Sequence, residues 1–336
     1  MIQFDKAYPC PQGSHGCADF RHCAPTGTFS RSDYQASING IFHAEDQASS
    51  KKVKMKKLWI CLFLVSVLFG WIPATDLLAQ SKADGDGIIE PDESADEELV
   101  KAAQNPVADL ISLPLQNNIN FNFGPEEKTQ NILNIQPVWP FALTEDWNLI
   151  TRTILPVISQ PGFFLGDDRE NGLGDLTFTA FLSPAEPGEW IWGAGPVLLL
   201  PTATDDKLGA EKWGVGPSAV ALTTDGPWLY GALVSQIWSF AGDDDRDGVN
   251  QLLVQPFINY NLPDGWYLVS SPIITANWEA DSSNTWTLPM GGGFGKIFRI
   301  GSQPVNAQIQ AFYNVEAPDN GAGWQLRFQW QFLFPK

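Results

Sequence analysis

The sequence has very little cysteine or histidine, and what it has is crowded at one end. Cys10, Cys17, Cys23, Cys61, His15, His22 and His43 all precede residue 80. Beyond that point there is no thiol and no imidazole. Ser-His-Asp and Cys-His machinery and the common zinc sites are therefore excluded there, and no thiol can mispair in an oxidising compartment. The early cysteines and histidines fit no paired zinc-ligand spacing. Positive charge is scarce as well. Six of the 38 acids and eight of the 20 bases precede residue 80, leaving 32 against 12. So acidic a surface repels phosphate, and no nucleic-acid partner is expected. Carboxylate-only catalysis would need convergent acids with perturbed pKa values, which no predicted strand displays. Neither an enzymatic activity nor a cofactor is expected.

Long hydrophobic runs are missing too, with one exception. Leu58 to Ile72 is an apolar run of 15 residues behind Lys51, Lys52, Lys54, Lys56 and Lys57. It is short for a membrane span and suited to the core of a signal peptide. Met55 opens a more conventional leader, Met-Lys-Lys-Leu-Trp, than Met1 does. The expected organisation is thus residues 1–54 from an upstream mis-start and 55–79 as signal peptide, cleaved after Ala79. An acidic periplasmic linker over 80–111 then carries a short helix near 94–104, and one folded domain spans 112–336. Asp84-Gly-Asp86 with Glu93 has part of a calcium-loop pattern, but Lys82 occupies its first position and would repel the ion.

What the chain does have is alternation. In the last segment, Trp324, Leu326, Phe328, Trp330, Phe332 and Phe334 alternate with Gln325, Arg327, Gln329, Gln331 and Leu333. Period two places the first set on one face of a β-strand and the second on the other. Large apolar groups against water and amides in a dry core are both costly; lipid outside and a wet lumen inside resolve both. Twelve such segments follow one another: 115–123, 131–142, 147–157, 173–183, 190–201, 213–222, 228–240, 250–262, 266–277, 285–298, 303–314 and 323–334. Those at 190–201 and 228–240 are apolar on both faces and leave the inner face unassigned. The connections alternate between tight turns, such as Pro263–Gly265, and longer acidic loops, such as Ala241–Val249. Tryptophans gather at both strand ends, as in interfacial girdles. The fold class is an all-β transmembrane antiparallel barrel with both termini on the periplasmic side.

Face assignment gives a lumen rich in neutral amides, among them Asn120, Gln255, Gln308, Gln310 and Gln329. The few charges expected there are Arg152, Asp175 and Arg327. With both arginines mid-strand, they are expected at the narrowest level, either setting ion preference or neutralised by a carboxylate such as Asp175. Asp243, Asp245 and Asp247 open a calcium-loop pattern whose closing Glu is missing, since Val254 stands at its twelfth position. A weak divalent-ion site is one reading, an ordinary acidic loop the other. Gly291-Gly-Gly293-Phe-Gly295-Lys296 lacks the residues of a phosphate loop. Glycines there more naturally mark a close approach of another segment.

Several motifs together resemble one Gram-negative outer-membrane family. They are Gly172-Leu-Gly-Asp175-Leu, Gly193-Ala-Gly-Pro196 running to Pro201-Thr-Ala-Thr204, Trp213-Gly-Val-Gly-Pro217-Ser, Gln255-Pro-Phe-Ile-Asn-Tyr260 and Trp286-Thr-Leu-Pro-Met-Gly-Gly-Gly293. The family is named for a transporter of the phenol meta-degradation pathway, and its members often carry the label "neuromedin U". The resemblance covers nearly all of 112–336 and implies a barrel with a transport role, without naming the cargo. One departure is that Pro335-Lys336 follow Phe334, where such barrels commonly finish on an aromatic residue read by the insertion machinery. The expected function is an outer-membrane pore or transporter for small, mainly uncharged or hydrophobic solutes. Its expected partners are outer-membrane lipid, the barrel-assembly machinery and the solute. The alternative is a sealed structural or interaction barrel without transport.

Overall fold

The computed structural model describes residues 93–162 and 167–335. The expected mis-start and signal peptide, the Asp84-to-Asp92 stretch and Lys336 lie outside the described residues. Among the described residues, one α-helix, α1 (Glu93–Gln104), precedes fifteen strands. They are β1 (Ile111–Phe123), β2 (Lys128–Ile135), β3 (Val138–Ala142), β4 (Trp147–Gln160), β5 (Glu170–Leu173), β6 (Leu176–Pro184), β7 (Trp190–Leu200) and β8 (Lys212–Asp225). The rest are β9 (Trp228–Gly242), β10 (Asn250–Asn261), β11 (Trp266–Ser270), β12 (Ile274–Asn277), β13 (Trp286–Ile300), β14 (Gln303–Glu316) and β15 (Trp324–Phe334).

The fifteen strands make twelve staves, because three staves are interrupted. β2 and β3 part at Gln136-Pro137, β5 and β6 at Gly174-Asp175, and β11 and β12 at Ser271-Pro272-Ile273. Proline has no N–H to give a ladder, so two of the breaks fall where the sequence removes a donor. β11 and β12 share one register against β13, with Val269 opposite Gly293 and Thr275 opposite Thr287. All pairings are antiparallel, each stave lying against its neighbours in sequence. β1 closes the wall on β15, from Ile111 opposite Phe334 to Phe121 opposite Trp324. Closure leaves no open edge, so the ladder pairs its own N–H and C=O groups all the way round.

The outward face is apolar. Phe328, Trp330 and Phe334 of β15 are exposed, as are Leu268, Phe294, Ile258 and Val234 on other staves. Tryptophans edge this belt at both ends. Trp147 packs edge-on against Trp192 at the short-turn end, and Trp278 against Trp286 at the loop end. Lys296, an outward cation near the short-turn rim, lies with its Nζ 4.8 Å from the centre of the Trp266 ring. Short turns suit the tight end: Gly226 and Gly301 take φ of +55° and +60°, which a glycine adopts without strain.

At the short-turn end the mouth is occupied. Leu99, Val100, Ala102 and Ala103 of α1, with Leu110, pack on an inner collar of Tyr267, Val269, Ile297 and Leu333. Residues 99, 100 and 103 recur at helical spacing on one face, while Lys101 is exposed. The acidic segment expected as a linker thus ends in a helix seated on the barrel wall. Tyr267 reaches inward over Gly295, where an added Cβ would lie 2.3 Å from the tyrosine ring.

The two faces of β15 can be told apart by substitution. Phe328→Arg puts a charge on the outward belt and should cost roughly 2–4 kcal/mol of barrel stability in a bilayer. Gln329→Arg, on the inner face, should cost much less. Urea unfolding in lipid vesicles measures both, and equal costs would refute this assignment of faces.

Candidate functional site

The interior is divided into two unlike halves. On one side, β14, β15, β1 and β2 turn amides inward. Gln325 donates to Asn120 Oδ1 at 2.8 Å, Asn120 to Gln130 Oε1 at 2.8 Å, and Gln130 to Gln160 Oε1 at 2.9 Å. This chain of amides crosses from β15 to β4. Below it, Asn306 donates to Gln331 Oε1 at 3.1 Å and accepts from Tyr267 Oη at 2.5 Å. Such groups, taken out of bulk water, are tolerable only because they satisfy one another.

On the other side the inner face is hydrophobic. Phe181 of β6, Val220 and Leu222 of β8, Leu229 and Leu233 of β9 and Phe257 of β10 form one buried cluster, with Ile191 and Leu253 packed against it. The segment after α1 joins this cluster through Val107. Asn105 caps the turn that sends the chain there, its Oδ1 accepting from Val107 N–H at 2.9 Å. Gln104, the last residue of α1, pins the helix to β10. It donates to Asn261 Oδ1 at 2.8 Å and accepts from Asn259 Nδ2 at 3.0 Å.

The two arginines stand in different surroundings. Arg327 is 2% exposed and fully engaged. Its Nε donates to Asn118 Oδ1 at 3.1 Å, one Nη to the Ser271 carbonyl at 2.8 Å, and the other to Gln325 Oε1 at 3.1 Å. Its guanidinium carbon lies 4.7 Å from the centre of the Phe312 ring. Ser271, at the break between β11 and β12, also gives its N–H to Gln310 Oε1 at 3.0 Å. Among the described residues Arg152 has one hydrogen bond, to Gln136 Oε1 at 2.7 Å. Among the described residues neither arginine pairs with a carboxylate.

Between the end of α1 and the wall is a cavity of about 150 Å³. Leu233, Phe257 and Val138 line it together with Gln308, Gln329 and Gln331, and Arg152, Gln255 and Asn259 also face it. The expected site residues therefore separate. Asn120, Gln310 and Arg327 lie in the amide half outside the cavity lining, while Gln308 and Gln329 of that half face the cavity together with Gln255 and Arg152. Arg152 stands five residues from the short-turn end of β4, and Arg327 seven from that of β15. One expectation needs correcting. Asp175 neutralises neither arginine. Its carboxylate accepts from the N–H groups of Ala203 and Ala210 at 3.0 and 2.6 Å and so holds the loop between β7 and β8.

The outer acids do other work as well. Asp243 Oδ1 accepts from Asp245 N–H at 2.9 Å, ordering its own turn. Among the described residues, no three His, Cys, Asp or Glu side chains, Asp243, Asp245 and Asp247 included, converge as metal ligands. Arg246 of the same loop donates to the carbonyls of Asp206 and Gly209 at 2.9 and 2.7 Å, tying two loops together.

Sequence reasoning missed the hydrophobic half-wall and the seat of α1. A usable signal was present for the wall. Outward Trp190, Trp192, Trp228 and Trp238 fix the phase of β7 and β9, and so turn Ile191, Leu229 and Leu233 inward.

A solved outer membrane channel from Pseudomonas putida F1 is similar to this chain in fold. Its TM-score is 0.52 at 19% identity, covering 67% of this chain and 94% of the channel. The chain has the fold of an outer-membrane β-barrel. Two looser likenesses carry no argument beyond their existence. Outer membrane phospholipase A from Escherichia coli has a TM-score of 0.36 at 15% identity, covering 71% of this chain and 96% of the phospholipase. A Pseudomonas aeruginosa FadL homologue has 0.35 at 10%, covering 69% and 92%. No protein-family model matches the barrel's sequence, and no curated protein does.

The arginines should respond differently to loss of charge. Arg327→Gln strands three acceptors and should lower barrel stability by about 3 kcal/mol or more, at roughly 1.5–3 kcal/mol per hydrogen bond to a charged group. Arg152→Gln loses one bond and removes an uncompensated cation, so its urea midpoint should stay near that of the parent. Equal loss in both variants would contradict the partner assignments.

Proposed function

We propose that the barrel is a passive channel of the Gram-negative outer membrane for small hydrophobic or uncharged solutes. Its short-turn end and both termini face the periplasm. The observation that carries the proposal is the division of the interior. A barrel serving only as a scaffold can fill itself with either kind of side chain. A wall that is hydrophobic over β7 to β10 and amide-lined from β14 to β2 offers both surfaces an amphipathic solute needs. Twelve staves lie between the filled eight-stranded barrels and the open sixteen-stranded ones, so a narrow, partly filled path suits the size. The motifs from Gly172 to Gly293 support membership of the phenol-pathway transporter family, and a leader at 55–79 would bring the chain to the assembly machinery. No catalytic step belongs to this function. Asp175, the acid expected in the lumen, serves loop amides instead.

One observation favours a sealed barrel: α1 lies across the mouth, and the Arg327 layer is closely packed above it. Flux separates the two. Purified barrel in liposomes should swell slowly with small neutral solutes, and faster with the more hydrophobic of them. A chain lacking 93–104 should swell several-fold faster while keeping the heat-modifiable migration of a folded barrel. No swelling from either chain would leave the sealed barrel as the function.

A further inference from the structure

The cavity beneath the amide network has a chemical character that the channel function does not explain. Among the described residues, Arg152 is the only charged one lining it. A cation held away from bulk water without an opposite charge is costly, and the cost falls when an anion arrives. Gln136, itself buried, holds one Nη of Arg152 and so fixes the guanidinium. Its other N–H groups are left for a partner, and a carboxylate suits them because two of them can donate side by side. Arg327 has no such capacity, since Asn118, Gln325, the Ser271 carbonyl and the Phe312 ring surround it.

A second, independent observation lies in the same cavity. Asn259 is 5% exposed, and its Oδ1 is buried without a hydrogen-bond partner. Its Nδ2 is committed to Gln104, so the amide cannot simply turn away. Buried acceptors are nearly always satisfied, and one that is not points to a missing donor. Leu233, Phe257 and Val138 supply the remaining apolar wall. The volume, about 150 Å³, is of the order that accommodates one benzene-sized molecule.

We propose that this cavity binds a small organic carboxylate with an apolar body of about one ring, Arg152 holding the carboxylate and Asn259 accepting from a hydroxyl on that body. The site deepens the channel function, on which it rests for its meaning, since a solute crossing the lumen passes this chamber. It also narrows the solute class from neutral apolar molecules toward apolar acids. Gln104 belongs to the same site through Asn259, so occupancy and the seat of α1 are linked.

Calorimetric titration of the full chain in detergent tests this with benzoate, its neutral isostere benzamide, and 3-hydroxybenzoate. Benzoate should bind roughly tenfold or more tightly than benzamide, the scale of a charged hydrogen-bonded contact. Arg152→Gln should abolish that preference. Asn259→Leu should remove the added affinity of 3-hydroxybenzoate over benzoate, whatever it does to the affinity the two share. Heat-modifiable migration confirms that each variant is folded. Benzamide binding as well as benzoate, unchanged benzoate affinity in Arg152→Gln, or no binding of any probe would overturn the proposal. Titration requires no flux, so liposomes that fail to swell would remove the channel and not the site.

Discussion

The structure depends on closing a wall one chain thick. When β1 meets β15, the ladder runs all the way round, and no open edge is left to be satisfied from outside. Closure also removes a freedom. In a strand, alternate side chains must face opposite ways, so the outward series Trp324, Phe328, Trp330 and Phe334 dictates that Gln325, Arg327, Gln329 and Gln331 point inward. The interior is therefore whatever the other half of the pattern supplies. It has to solve its own hydrogen bonding within a narrow space.

That problem is solved differently on the two sides. From β14 to β2 the inward residues are amides, which bond to one another across neighbouring staves. From β6 to β9, and at Leu253 and Phe257 of β10, they are chiefly aliphatic and aromatic, and need only to pack. α1 and the segment after it use both solutions. Gln104 joins the amide chemistry of β10, while Val107 enters the hydrophobic cluster and Leu99 and Ala103 cover the collar. The helix is thus matched to a mouth that is part polar and part apolar, and its short length suffices because the wall supplies its partners.

What was legible in the sequence follows from this division. β1, β14 and β15 could be assigned to faces because polar and apolar residues alternate cleanly there. β7 and β9 could not, because a hydrophobic lumen wall and a hydrophobic outer wall give an unbroken apolar run. Asp175 was misplaced for a local reason. Gly174 and Asp175 interrupt a stave, so the period-two count carried across them loses its phase. The helix near 94–104 could be read from local pattern, whereas its seat could not, since spacing does not name the surface that will cover it. The different surroundings of Arg152 and Arg327 could not be read either, because period two gives face and not neighbours. Neighbours across the wall follow from register between staves, which is a property of the closed barrel and not of any one segment.

The arginines show how far residue type falls short of role. Both are inward cations on a wall of neutral amides, and from sequence alone they are equivalent. Arg327 is enclosed by two amide oxygens, a carbonyl freed by the break at Ser271 and an aromatic face, so its charge is spread over neutral groups that hold four segments together. That arrangement is a strut, because any ligand would have to displace bonds already made. Arg152 has a single amide and an open chamber. The cost of keeping it charged is still uncompensated, and a solute can lower that cost by bringing the missing anion. The difference lies in what the neighbouring staves left unoccupied around each guanidinium, and it makes one a part of the wall and the other a receptor.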